Sequence, residues 1–167
     1  MVVLGIDVGI RACGYVVCTI NKLKIELIKE NQIKPDSKKT LPQKLNHIFE
    51  ELKKQVTEFS PEAMIVEKLY SHYRHPVTLG VLAQVRGVVA LLAHKKNIEF
   101  FEYSSTRARK SFLGRGNVNS EQVKKMAENM IGKKMESIHA ADAYSLVVAF
   151  SHEQKFRQLK NQYSKAS

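Results

Sequence analysis

Cysteine is nearly absent from this sequence: Cys13 and Cys18 are the only two in 167 residues. That is too few to staple a chain of this size, and it suits a reducing, cytoplasmic setting. Aspartate is almost as scarce, with Asp7, Asp36 and Asp142 set against thirteen glutamates. No uninterrupted apolar run approaches the roughly 20 residues of a membrane-spanning helix, so the expectation is a soluble chain with no membrane partner. The opening MVVLGIDVGI is apolar but carries Asp7, and it has neither a basic leader nor a small-residue cleavage site. It reads as a buried strand, not a signal peptide. Internal repeats, low-complexity tracts and interdomain linkers are missing too, which leaves one domain with one core and one site to find.

Positive charge, by contrast, is abundant. Lys and Arg number 27 against 16 acidic residues, a formal charge of +11. The excess is uneven: residues 1–67 hold 10 basic and 9 acidic side chains, and residues 68–167 hold 17 and 7. Such asymmetry points to a polyanionic partner.

Val2–Ile6 and Gly14–Ile20 are Val- and Ile-rich runs around a glycine-containing turn, and Lys24–Ile28 alternates charged and apolar residues; three strands are expected, antiparallel to one another. Leu45, Ile48, Phe49, Leu52, Val56 and Phe59 recur at helical spacing between Pro42 and Pro61, predicting an amphipathic helix. A short strand at Ala63–Val66, a helix over 77–96, a strand at 98–103 and further helices follow. Asn119 or Ser120 can cap the helix carrying Val123, Met126, Ala127 and Met130. The pattern βββαβαβ with trailing helices predicts one α/β domain with a mixed five-stranded sheet.

The acidic residues stand in costly places. Asp7 closes the apolar run Val2–Ile6, Glu67 closes Ala63–Val66, and Asp142 lies inside an otherwise apolar helix at 140–148. Ionised carboxylates are buried at such positions only when paired or bound to a cation. His139 precedes Asp142 by three residues, so both project from one helix face. A sparse carboxylate set suits magnesium or manganese, and two such ions can drive phosphodiester hydrolysis. The expected activity is thus a metal-dependent nuclease with Asp7, Glu67, His139 and Asp142 as catalytic and metal-binding residues.

The segments LGIDVGIRACGYVV (4–17), IVEKLY (65–70), LAQVRGVVALLA (82–93), FEYSSTRARKSFLGRG (101–116) and HAADAYSLVVAFSH (139–152) together resemble the RuvC family of Holliday-junction resolvases. The resemblance is collinear over about residues 2–152. It implies a ribonuclease H-like fold and a homodimer that nicks four-way DNA junctions with two divalent ions per subunit, Mg2+ or Mn2+, and it leaves room for a branch-migration motor as a partner. Asp7, Glu67 and Asp142 match the family's carboxylates, whereas His139 falls where many members have another aspartate. Imidazole there favours manganese and titrates near neutrality.

The same resemblance places Tyr70 near the junction centre, where a ring can stack on bases. Arg74 extends that loop. Arg107, Arg109, Lys110 and Arg115, free of acidic neighbours from 103 to 120, are the expected phosphate contacts. Ser120 stands where relatives usually carry lysine, so that role is lost or passes to Arg115, Lys124 or Lys125. Leu82, Val85, Val89 and Leu92 form a stripe resembling the family's dimer helix, and core packing explains part of it equally well. Residues 1–152 are read as the nuclease domain, and 153–167 as a basic C-terminal tail that reaches DNA or frays.

Several alternatives remain open at this stage. They are a junction-binding protein without efficient cleavage, a nuclease acting on forks, flaps or RNA–DNA hybrids, and an ATP-binding lobe sharing the first hairpin. The last lacks a second phosphate loop. A Cys13–Cys18–His72–His75 zinc site can be drawn but has no zinc-knuckle spacing.

Overall fold

A computed structural model describes residues 1–22, 24–69 and 76–166, with side chains to 161. Five strands form one sheet: β1 Val2–Asp7, β2 Cys13–Asn21, β3 Lys24–Ile33, β4 Ala63–Glu67 and β5 Glu99–Tyr103, in the order β3-β2-β1-β4-β5. β1, β2 and β3 are antiparallel neighbours, while β4 and β5 run parallel to β1. The mixed sheet and its hairpin start agree with the sequence reading.

Alternation along the central strands builds two cores. Val3, Val16, Ala63 and Ile65 face one side, and Leu4, Ile6, Val17, Met64 and Val66 face the other. The second side is covered by α1 (Leu41–Phe59) and α2 (Pro76–Lys95). α1 starts where expected, at Thr40, whose backbone N–H donates to Gln43 Oε1 at 3.0 Å, and it stops at Ser60 in a left-handed conformation (φ 46°). The first side is covered by α3 (Ser105–Leu113), α4 (Ser120–Ile131) and α5 (Ile138–Ala166). Cys13 belongs to one core and Cys18 to the other, so no single ion reaches both thiols and the zinc site falls.

Three expectations change. β3 runs five residues beyond Ile28, as an edge strand whose Glu30, Asn31 and Gln32 conceal it from hydropathy. The expected tail has no break before it: α5 continues through 152 as one helix to Ala166. Finally, α2 is long and apolar enough, by length and composition, to cross a membrane, contrary to the expectation that no segment would qualify. Gln84 and Arg86 interrupt its apolar run without outweighing it. Its buried face, Val85, Val89 and Leu92, packs on the sheet as a core helix does.

Candidate active site

Asp7 and Glu67 end β1 and β4, adjacent parallel strands in which Ile6 pairs with Val66, so the two carboxylates emerge side by side at one edge. The first turn of α5 brings His139 and Asp142 over that edge. This approach depends on glycine. Gly14 lies directly opposite Asp7 in the β1–β2 register, and a Cβ there would stand inside the van der Waals envelope of the His139 backbone. Gly5 plays the same part further along, where a Cβ would meet Val147 Cγ2 at 2.6 Å and the Ala143 carbonyl oxygen at 2.7 Å. With the helix so close, His139 Nδ1 reaches Asp7 Oδ2 at 2.8 Å. A carboxylate only accepts, so Nδ1 carries the proton and the other ring nitrogen of neutral His139 is left as an acceptor.

Asp142 is held on both oxygens. Arg109 Nη2 donates to Oδ1 at 3.1 Å and the Ser120 hydroxyl donates to Oδ2 at 2.7 Å. Arg109 Nη2 also reaches Ser120 Oγ at 3.0 Å, and its Nη1 donates to the Val118 carbonyl at 2.7 Å.

The electrostatics follow from this crowding. Burial, then the charge of Asp7, pushes the Glu67 carboxyl up to about 7, with a hydrogen bond to Asp7 adding to the effect and one from Ser105 opposing it. Asp142 is also raised, chiefly by burial, against the opposing pull of Ser120 and Arg109. His139 is raised mainly by its hydrogen bond to Asp7.

This donor set fits a hard divalent cation. Glu67 is raised first by burial and then by the charge of Asp7, and a cation between the two carboxylates would offset both. Among the described residues no three His, Cys, Asp or Glu side chains already form a cage; His139 bonds Asp7, and Asp142 bonds Arg109 and Ser120. A narrow cleft runs between them, lined by Asp7, Glu67, Ser105, Arg109, Asp142, Ser145 and Leu146. Ser105 and Ser145 were not foreseen. Nothing in composition or spacing separates these serines from solvent-facing ones.

The sequence model of the family described as "Crossover junction endodeoxyribonuclease RuvC" matches residues 3–152. The chain belongs to the RuvC family. RuvC of Natranaerobius thermophilus is 31% identical over 159 residues, covering 94% of this chain and 97% of its own. RuvC of Alkaliphilus metalliredigens is 29% identical over 161 residues, covering 95% and 98%. In structure the chain is similar to Thermus thermophilus RuvC, with a TM-score of 0.77 at 25% identity over 89% of this chain and 92% of the other. It also superposes on T. thermophilus RuvC in complex with Holliday junction substrate, with a TM-score of 0.84 at 24% identity over 93% and 96%. The ribonuclease H-like fold expected from the resemblance is thus established, and the chain is an endodeoxyribonuclease by family. RuvC membership implies a divalent-metal requirement.

The basic residues singled out on the RuvC resemblance divide into two groups. Lys110 and Arg115 are exposed on the end of α3 and the loop after it. Arg107 is exposed as well, but it pairs with Glu153 at 2.9 Å and lies 5.1 Å from the centre of the Tyr103 ring. Arg109 is different: its side chain is only 22% exposed and turned inward onto Asp142. The cation hydrogen-bonded to Ser120 is Arg109. Tyr70 and Arg74, with His72 and His75, lie outside the described residues. The stripe compared with the RuvC dimer helix needs correction too. Val85, Val89 and Leu92 are at most 1% exposed inside the chain's own core, and Leu82 packs against them. The open face of α2 carries Gly80, Ala83, Gly87 and Leu91 instead.

Proposed function

We propose that this chain nicks four-way DNA junctions as a homodimer, by metal-dependent phosphodiester hydrolysis at Asp7, Glu67, His139 and Asp142. The observation that carries the reading is the meeting, at the C-terminal ends of the central strands β1 and β4, of Asp7 and Glu67 with Asp142 in one cleft and with His139 bonded to Asp7 beside it.

Asp7 and Glu67 are the residues best placed to hold magnesium or manganese, with Asp142 and the free nitrogen of His139 completing the set. Two divalent ions bound there would lower the pKa of the attacking water and stabilise the departing oxygen. The protein's own groups do the rest. Asp7 fixes the His139 tautomer, which leaves one ring nitrogen to serve either as a metal ligand or as the acceptor of a proton from water. A divalent ion in the cleft would favour the ionised form of Glu67, its proton passing to solvent. Arg109 and Ser120 hold Asp142 in place.

Lys110, Arg115 and the exposed Arg107 supply contacts to the DNA backbone, and branched DNA as the substrate rests on the RuvC family. The open face of α2, where glycine and alanine allow close approach, suits the dimer contact. The same reading makes a branch-migration motor the partner that delivers junctions, in the cytoplasm where both free cysteines stay reduced.

The test is to incubate wild type and Asp7→Asn with synthetic four-way junctions, Y-forks and linear duplex, in magnesium or manganese. Wild type is expected to nick the junction in preference to the others, and Asp7→Asn to bind it without cutting. Binding by wild type with no metal-dependent cutting would overturn the proposal.

A further inference from the structure

We infer that Ser120 is a positioning residue for Asp142. Its hydroxyl, itself oriented by Arg109, fixes the carboxylate in the attitude in which it receives a divalent cation. The inference rests on the metal-dependent reading above and adds a residue outside the acidic set.

Ser120 is the first residue of α4, yet the helix does not need its hydroxyl. Asn119 is the cap, accepting from the Gln122 backbone N–H at 2.9 Å while Gln122 Oε1 accepts from the Asn119 backbone N–H at 3.1 Å. The hydroxyl is spent elsewhere. Its single proton goes to Asp142 Oδ2 at 2.7 Å, and a lone pair of Oγ accepts from Arg109 Nη2 at 3.0 Å. Arg109 is anchored in turn by the Val118 carbonyl at 2.7 Å and closes the ring on Asp142 Oδ1 at 3.1 Å. The four groups come from α3, the loop before α4, α4 and α5, so each restrains the others.

Two physical consequences favour a positioning role. The last torsion of an aspartate is soft, and a carboxylate held on one oxygen swivels, whereas one held on both does not. The clamp also uses one acceptor site on each oxygen, two of about four, so Asp142 keeps lone pairs for a cation. Arg109 alone would restrain Asp142 only by adding positive charge. A neutral hydroxyl adds restraint without further opposing a metal ion.

The test compares full-length wild type, Ser120→Ala and Ser120→Thr by following free Mn2+ with electron paramagnetic resonance during titration. Ser120→Ala is expected to bind Mn2+ about tenfold more weakly, the usual effect of losing a ligand's supporting hydrogen bond. Ser120→Thr, which keeps the hydroxyl, should stay within about twofold of wild type. In nicking assays Ser120→Ala should lose kcat at low Mn2+ with its KM for the junction unchanged, and recover at high Mn2+. Unchanged Mn2+ affinity in Ser120→Ala overturns the inference, as does a loss confined to junction KM. Failure of threonine to rescue assigns the loss to packing and overturns it equally. Weakened Mn2+ binding by Ser120→Ala, in a protein whose wild type cuts no junction, would sink the functional reading alone.

Discussion

At the residue scale, the site is a set of groups whose protonation opposes its use. Glu67 holds its proton in the folded chain up to about pH 7, above the ordinary 4.5. A carboxyl raised by folding stabilises the fold most below its unfolded pKa, and that stability drains away as pH climbs through the folded value. His139, also raised, acts in the same sense, its contribution fading as pH passes above the ordinary 6.5. Without divalent metal, Glu67→Gln should therefore melt higher than wild type at pH 8, by an amount on the order of 1–3 kcal/mol, and the difference should shrink towards pH 5. Melting curves at the two pH values in chelator check this. In single-turnover nicking, the rate should fall as pH drops from 8 to 5.5, with a midpoint above 6.5, because protonated His139 cannot accept a proton and protonated Glu67 binds metal poorly. Manganese should outperform magnesium; equal rates in both metals with a flat profile would contradict this. That Asp7, Glu67, His139 and Asp142 lie close together was legible in the sequence, because carboxylates at the ends of apolar runs and an i, i+3 pair on one helix face are conspicuous. Ser105 was not, and neither was the pairing of Ser120 and Arg109 with Asp142, since a hydroxyl or guanidinium reveals which carboxylate it serves only after the segments have met.

At the element scale, how closely α5 lies on the sheet decides whether His139 and Asp7 touch. Gly14→Ala places a methyl where the His139 backbone lies. The variant should lose about 1–3 kcal/mol of stability and a larger share of cleavage than of junction binding; urea denaturation with parallel nicking and gel-shift assays separates the two. Strand and helix positions were largely readable, because alternation and helical spacing hold wherever one face is buried. β3 escaped beyond Ile28 because an edge strand can be polar on both faces. α2 misled for the opposite reason: being apolar all round, it showed a stripe at Leu82, Val85, Val89 and Leu92 without showing which side of the helix faced inward. Past Ser151, α5 leaves the core and its apolar residues Phe156 and Leu159 are exposed, so burial gives no reason for the helix to continue to Ala166.

At the scale of the whole molecule, charge and association can be tested separately. Lys110→Ala and Arg115→Ala should each lower the slope of junction affinity against salt by about 1, across all sequences tested, if each meets a phosphate. Leu91, half exposed on the open face of α2, is the position to charge. Leu91→Lys should shift sedimentation from dimer to monomer with little change in melting temperature, whereas Val89→Lys, in the core, should unfold the protomer. The parallel pairing of β1 with β4 also has a temporal meaning. Its two carboxylates lie sixty residues apart in the chain, and His139 and Asp142 arrive only with α5, more than seventy residues after Glu67. A partly synthesised chain therefore lacks the proposed cutting centre until translation has passed residue 142 and α5 has docked on the sheet, so the cell's own DNA is not exposed to a half-built site.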